Sequence, residues 1–232
     1  MHTQLKRRVM GLVIPLAFLS LPAQAVNISV NMTVDNAFAL FTGTQTTATA
    51  FHVYDTDWPT TATFNFNLAA NEYIYVVTAS DLNVAQGFLG QFTNNDLNYT
   101  FYSQDPQWQV MATGLGPNAP ISGSAANLAL LSQEIVDANS GGNPSLGWVG
   151  TTPGPLNGSG PWGLRPGIGA AARWVWYSSN GDPDPTTPGF NHQEWLVFRI
   201  AVNASPVPEP GSLALVALAA LGLGLTSRRR QR

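Results

Sequence analysis

Cysteine is absent from this chain. That excludes disulfide frameworks, thiolate metal sites and cysteine nucleophiles. A domain without cysteine is held by its core, or by its core and a bound metal. Charge is scarce as well. Charged residues make up 10% of the chain, against roughly 25% in an average soluble domain. Positive charge is scarcest in the middle. Between residues 26 and 206, three arginines (Arg165, Arg173 and Arg199) stand against twelve acids, a balance of −9. Nucleic acid needs a basic footprint and finds none there, so that partner class is excluded. Nonspecific attraction to anionic lipid is disfavoured on the same ground.

Catalytic residue patterns are equally thin. The histidines are His2, His52 and His192, too few and too scattered for a zinc site. No G-x-S-x-G nucleophile elbow occurs. The glutamates of the middle segment are Glu72, Glu134 and Glu194, and none sits in a recognisable glycosidase box. The expectation is therefore a non-enzymatic domain.

What the chain does have is apolar residues (44%), 22 glycines and 17 prolines in 232 residues. That is enough apolar material for one core of ordinary size, and too many chain breakers for long regular elements. The two ends stand apart from this middle. At the front, Lys6-Arg7-Arg8 precede an apolar run from Val9 to Leu21, followed by Ala23-Gln24-Ala25. A basic n-region, a short h-region and an A-x-A box are expected to act as a Sec signal peptide over 1–25, cleaved after Ala25.

At the back, Pro208-Glu209-Pro210 is followed by an apolar run from Leu213 to Leu225 and then Arg228-Arg229-Arg230. A helix over about 211–226 is about 24 Å long at 1.5 Å per residue, short of the roughly 30 Å hydrocarbon core. It can span by thinning the bilayer. The positive-inside rule puts the arginines in the cytoplasm. The signal peptide puts the middle outside the inner membrane, so the two topology signals agree.

This box, helix and arginine cluster over 207–232 resembles the PEP-CTERM sorting signal. The resemblance implies an exosortase-type transpeptidase as partner, with Pro208, Glu209 and Pro210 as its recognition box and Arg228, Arg229 and Arg230 as the stop signal. It also implies a Gram-negative host that makes exopolysaccharide. The protein would be held transiently in the inner membrane and then passed to the cell surface or the biofilm matrix.

Residues 26–206 read as one exported domain. Val26, Ile28, Val30, Met32 and Val34 alternate with Asn27, Ser29, Asn31 and Thr33, the period of a half-buried strand. Further strands are expected at Ala37–Thr42, Thr49–Tyr54, Ala62–Leu68, Tyr73–Ala79, Gly87–Phe92, Tyr99–Tyr102, Trp108–Ala112, Arg173–Tyr177 and Glu194–Val202. One helix is expected over Ser124–Asn139, capped by Ser124 and stopped by Gly141-Gly142. The Pro/Gly-rich stretch that follows, as far as Gly169, reads as an ordered excursion because it contains Trp148 and Trp162. Short strands at this spacing predict an antiparallel β-sandwich with one inserted helix.

The order Asp35-Asn36, Gly43, Trp58, Tyr73-Ile74-Tyr75-Val76-Val77, Asp81-x-Asn83 and Gly87-Phe88-Leu89-Gly90 resembles galactose-binding-domain-like jelly rolls. That resemblance implies structural calcium. Asp55, Asp57, Asp81, Asp182 and Asp184 are the candidate oxygen ligands, although turn formation is the commoner role of such residues. No other cofactor is expected. For glycan binding, Trp148 and Trp162 are the expected exposed platforms, while Trp174 and Trp176 share a strand face and are expected in the core. The reading is an exported matrix protein associated with exopolysaccharide. The alternatives are a purely structural matrix protein and an exported hydrolase.

Overall fold

Strict alternation sets the first strand. The computed structural model describes residues 25–79, 85–115, 125–179, 181, 184–187 and 195–202. β1 (Val26–Asp35) turns Val26, Ile28, Val30, Met32 and Val34 into the core and its polar partners outward. The other strands are β2 (Ala37–Gly43), β3 (Ala48–Asp55), β4 (Ala62–Leu68), β5 (Tyr73–Ala79) and β6 (Gly87–Asn94). They are followed by β7 (Tyr99–Tyr102), β8 (Gln109–Ala112), β9 (Val149–Gly150), β10 (Thr152–Leu156), β11 (Arg173–Trp176) and β12 (Leu196–Ala201). Among the described residues one helix, α1 (Ala125–Ser140), lies between β8 and β9.

These strands form two antiparallel six-stranded sheets. The first runs β10-β11-β6-β1-β4, with β7 paired to the far part of β6. The second runs β3-β2-β5-β12-β8-β9. The late strand β12 lies between β5 and β8, with Leu196 opposite both Thr78 and Ala112. The expected mostly-β architecture with one helix is therefore present.

The core between the sheets is aromatic. Phe88 meets Trp108 edge-on at 5.6 Å and Phe198 at 5.2 Å, and Phe92 lies 5.3 Å from Trp108. Gly90 makes room for this: a Cβ there would lie 2.7 Å from the Phe92 ring and 2.9 Å from the Phe88 ring. Truncating a ring such as Phe88 to alanine costs about 3–5 kcal/mol, since transfer and cavity terms add.

The helix covers the far side of the second sheet. Leu131, Ile135 and Ala138 pack on Phe41, Tyr75, Val77, Met111 and Val197. It ends as the glycine pair predicts. Gly141 has φ +75, its N–H donates to Ala138, and the Gly142 N–H donates to Asp137 at 2.8 Å. This is the paired closure of a Schellman cap.

Two corrections concern the Pro/Gly stretch and the closing tryptophans. The excursion contains β9 and β10, which the strand pattern did not predict. Pro153 and Pro155 mask β10, but it lies at a sheet edge, where a missing N–H costs little. Trp174 and Trp176 are both fully buried but fall in different clusters, Trp176 in the sandwich core and Trp174 on the outer side. β11 registers with β6 at Val175–Phe88. No helix among the described residues is long and apolar enough to cross a membrane. The expected signal peptide, apart from Ala25, and the tail helix lie outside the described residues, as do Ala23 and Ser124.

Candidate functional site

The outward positions of β1 lead to the first feature. Asp35, at the end of that strand, is only 5% exposed and accepts a 2.7 Å hydrogen bond from Trp162 Nε1. The Trp162 ring stacks on Trp174 at 4.3 Å, and Trp58 meets Trp174 edge-on at 5.6 Å. Gly87 permits this layering, because a Cβ there would lie 2.6 Å from Trp174 and 3.1 Å from Trp162. The Arg165 guanidinium lies 4.7 Å from the Trp58 ring centre and donates to the carbonyls of Pro59 and Trp162. Trp162 was expected as an exposed sugar platform. It is 5% exposed, with its ring covered by Trp174 and its N–H committed to Asp35, so it holds the loop to the sheet.

Trp148 is half-buried on the other side of the molecule. Its Nε1 donates to Asn139 Oδ1 at 3.0 Å. Arg199 lies 3.8 Å from its ring centre and 5.2 Å from that of Tyr73. Arg199 is 6% exposed. Its Nε donates to Gln109 at 2.9 Å and its Nη1 to Asn139 at 3.3 Å. The cation is thus stabilised by aromatic faces, neutral oxygens and the C-terminal end of α1, where the helix dipole favours positive charge. Burial lowers the pKa of Arg199 and pushes the Tyr75 phenol up to about 12, although the nearby guanidinium pulls that phenol the other way. The one sequence signal of this buried cation is Arg199 standing alone among the apolar residues of β12.

The third feature is a surface. Alternation along the strands places Asn27, Ser29 and Asn31 of β1 on the outer face of the first sheet. Register aligns them with Asn67, Asn65 and Thr63 of β4. On the other side, Ser29 faces Thr93 and Asn31 faces Gln91 of β6, and Thr93 faces Thr100 of β7. None of these side chains is charged. They are cross-linked: Asn27 donates to Asn67 at 3.0 Å, Thr63 to Asn31 at 2.8 Å, and the Thr93 and Thr100 hydroxyls lie 3.0 Å apart. Asn95 adds contacts to Asn27 and Ser29. One end is walled by the loop at Gly167–Gly169. Asn31 donates to the Gly167 carbonyl at 2.9 Å, and the Gly169 N–H donates to Gln91 at 2.8 Å.

Asp55 and Asp184 make local contacts. Asp55 Oδ1 accepts from the Asp57 N–H at 2.6 Å, and Asp184 Oδ1 accepts from both the amide and the hydroxyl of Thr186. Both are turn geometries. Asp81, Asp182, His192 and Glu194 lie outside the described residues. No group of three metal-ligating side chains occurs among the described residues. His52 lies 3.0 Å from the Thr42 hydroxyl, and burial lowers its pKa against the pull of Glu72. Glu72 itself accepts from Thr49 and from the Ala69 amide. Glu134 lines a small cavity under α1, and burial, reinforced by Asp137, pushes its carboxyl up to about 6.

Comparison with known proteins bears on the tail. Residues 206–230 match the PEP-CTERM protein-sorting motif. The match begins four residues beyond Val202, the last residue of the described sandwich. It contains Pro208-Glu209-Pro210 and Arg228-Arg229-Arg230, and it marks the chain as a substrate of the exosortase kind. No curated protein and no solved structure matches the chain.

Proposed function

We propose that the chain is an exported surface protein. An exosortase-type transpeptidase processes it, and its non-catalytic sandwich associates with exopolysaccharide outside a Gram-negative cell. The observation that carries this reading is the sorting motif over 206–230. A short apolar run after a Pro-Glu-Pro box, closed by arginines, suits a temporary anchor better than a permanent one, because a helix of that length would fall short of an unperturbed bilayer.

The boundaries of the fold are compatible with cuts at both ends. β1 begins at Val26, directly after Ala25, and β12 ends at Ala201, ahead of the motif. Removal of the signal peptide and of the tail leaves every described strand in place. The jelly-roll likeness belongs to the same proposal. It rests on the order of Asp35-Asn36, the β5 strand and Gly87-Phe88-Leu89-Gly90.

The test is a full chain in which Pro208, Glu209 and Pro210 are all replaced by alanine, expressed in the producing strain beside the native chain. The reading predicts that the variant accumulates in the inner-membrane fraction while the native chain reaches the surface or the medium. Identical distributions of the two would sink it.

A further inference from the structure

We propose that the uncharged outer face of the first sheet is the polysaccharide-contacting surface, and that its ligand is a neutral glycan. This rests on the association with exopolysaccharide proposed above. It adds the site and the chemical class of the ligand.

The face has the right chemistry for hydroxyl-rich polymers. Its nine ladder side chains on β1, β4, β6 and β7 are all Asn, Gln, Ser or Thr, and each presents both donors and acceptors. A sugar hydroxyl also does both, so either partner can take either role. Thr63, Asn65, Asn67 and Thr100 are exposed, and Ser29, Asn31 and Thr93 are half-buried between them. The Asn65 side chain makes no hydrogen bond among the described residues and has its full capacity free.

Charge decides the class. The segment from 26 to 206 carries a balance of −9, yet none of the nine ladder positions is charged. Asp96 stands at the rim, where it accepts from the Asn27 amide. An acidic polymer meets net repulsion from the domain and no cation on this face. A neutral polymer meets neither.

Shape agrees with an extended ligand. β7, β6, β1 and β4 lie side by side here, so the face is about 14 Å wide at about 4.8 Å per strand. β4 is an edge strand, which leaves that side open for a polymer to run past. The opposite limit, along the strands, is the wall at Gly167–Gly169, tied down through Asn31 and Gln91. Mutual hydrogen bonds hold the ladder side chains in place before any ligand arrives, which reduces the ordering cost of binding.

The test uses the full chain and two exposed substitutions, Asn65→Lys and Asn65→Asp, with Ala129→Lys on the exposed side of α1, against the second sheet, as control. Retention is measured on immobilised exopolysaccharide of the producing strain, split by anion exchange into neutral and acidic pools. The native chain and the control are expected to be retained on the neutral pool. Both Asn65 variants are expected to lose at least about tenfold in retention, with unchanged melting temperature. Retention of both Asn65 variants at the native level would overturn the site while leaving the association intact. Retention on the acidic pool, raised by lysine and lowered by aspartate, would overturn the neutral class. A native chain retained on neither pool would overturn the association itself, and this inference with it.

Discussion

Replacing Trp162 by phenylalanine separates two roles for that residue. The substitution keeps an aromatic ring against Trp174, at 4.3 Å in the native stack, and removes the Nε1–H that donates to Asp35 at 2.7 Å. Asp35 is 5% exposed, so water does not readily replace the lost donor. A hydrogen bond to a carboxylate is worth about 1.5–3 kcal/mol. The smaller ring leaves a modest void in addition. The expected loss is therefore about 2–4 kcal/mol. For a domain of this size that lowers the melting temperature by about 2–4 °C for each kcal/mol lost. Urea unfolding of the full chain, followed by tryptophan fluorescence, reads the change directly. A variant whose stability stays within about 0.5 kcal/mol of the native chain would refute the buried, structural role. If such a variant also lost polysaccharide retention, the platform role would return.

Three further outcomes follow from the packing. Gly87→Ala places a Cβ 2.6 Å from Trp174 and is expected to cost about 1–3 kcal/mol by overpacking, measured by urea unfolding. Arg199→Lys loses the planar stack on Trp148 and the fork to Gln109 and Asn139, and is expected to lower the melting temperature more than a surface Arg173→Lys does. Glu134 has its carboxyl raised to about 6 by burial, so the folded state holds its proton more tightly than the unfolded chain. Its contribution to stability therefore falls as pH rises from below the ordinary carboxylate range through about 6. Melting curves from pH 4 to 7.5 are expected to show this decline in the native chain and a flatter profile in Glu134→Gln.

Much of the fold was legible because its signals are local. The period-2 alternation from Val26 to Val34 reports burial directly, and Ala62–Leu68, Tyr73–Ala79 and Tyr99–Tyr102 match their strands residue for residue. Gly141-Gly142 stops the helix because only glycine takes that φ cheaply. β10 was hidden because Pro153 and Pro155 argue against a strand unless the edge position is known. Trp162 was misplaced for a related reason. Sequence distance separates it from Asp35 by 127 residues, and nothing local reveals that a Gly/Pro loop folds back onto β1. The polar face lay in plain view as the other half of the β1 alternation. Its width became apparent only when register set Asn65, Asn67, Thr93 and Thr100 beside it.

The most direct measurement is the intact mass of the mature protein recovered from the surface or medium of the producing strain. Processing at both ends predicts a chain that begins at Val26 and terminates near Pro208-Glu209-Pro210, without the apolar run or Arg228-Arg229-Arg230. A mature pool that still ends at Arg232 would contradict exosortase processing and, with it, the central claim.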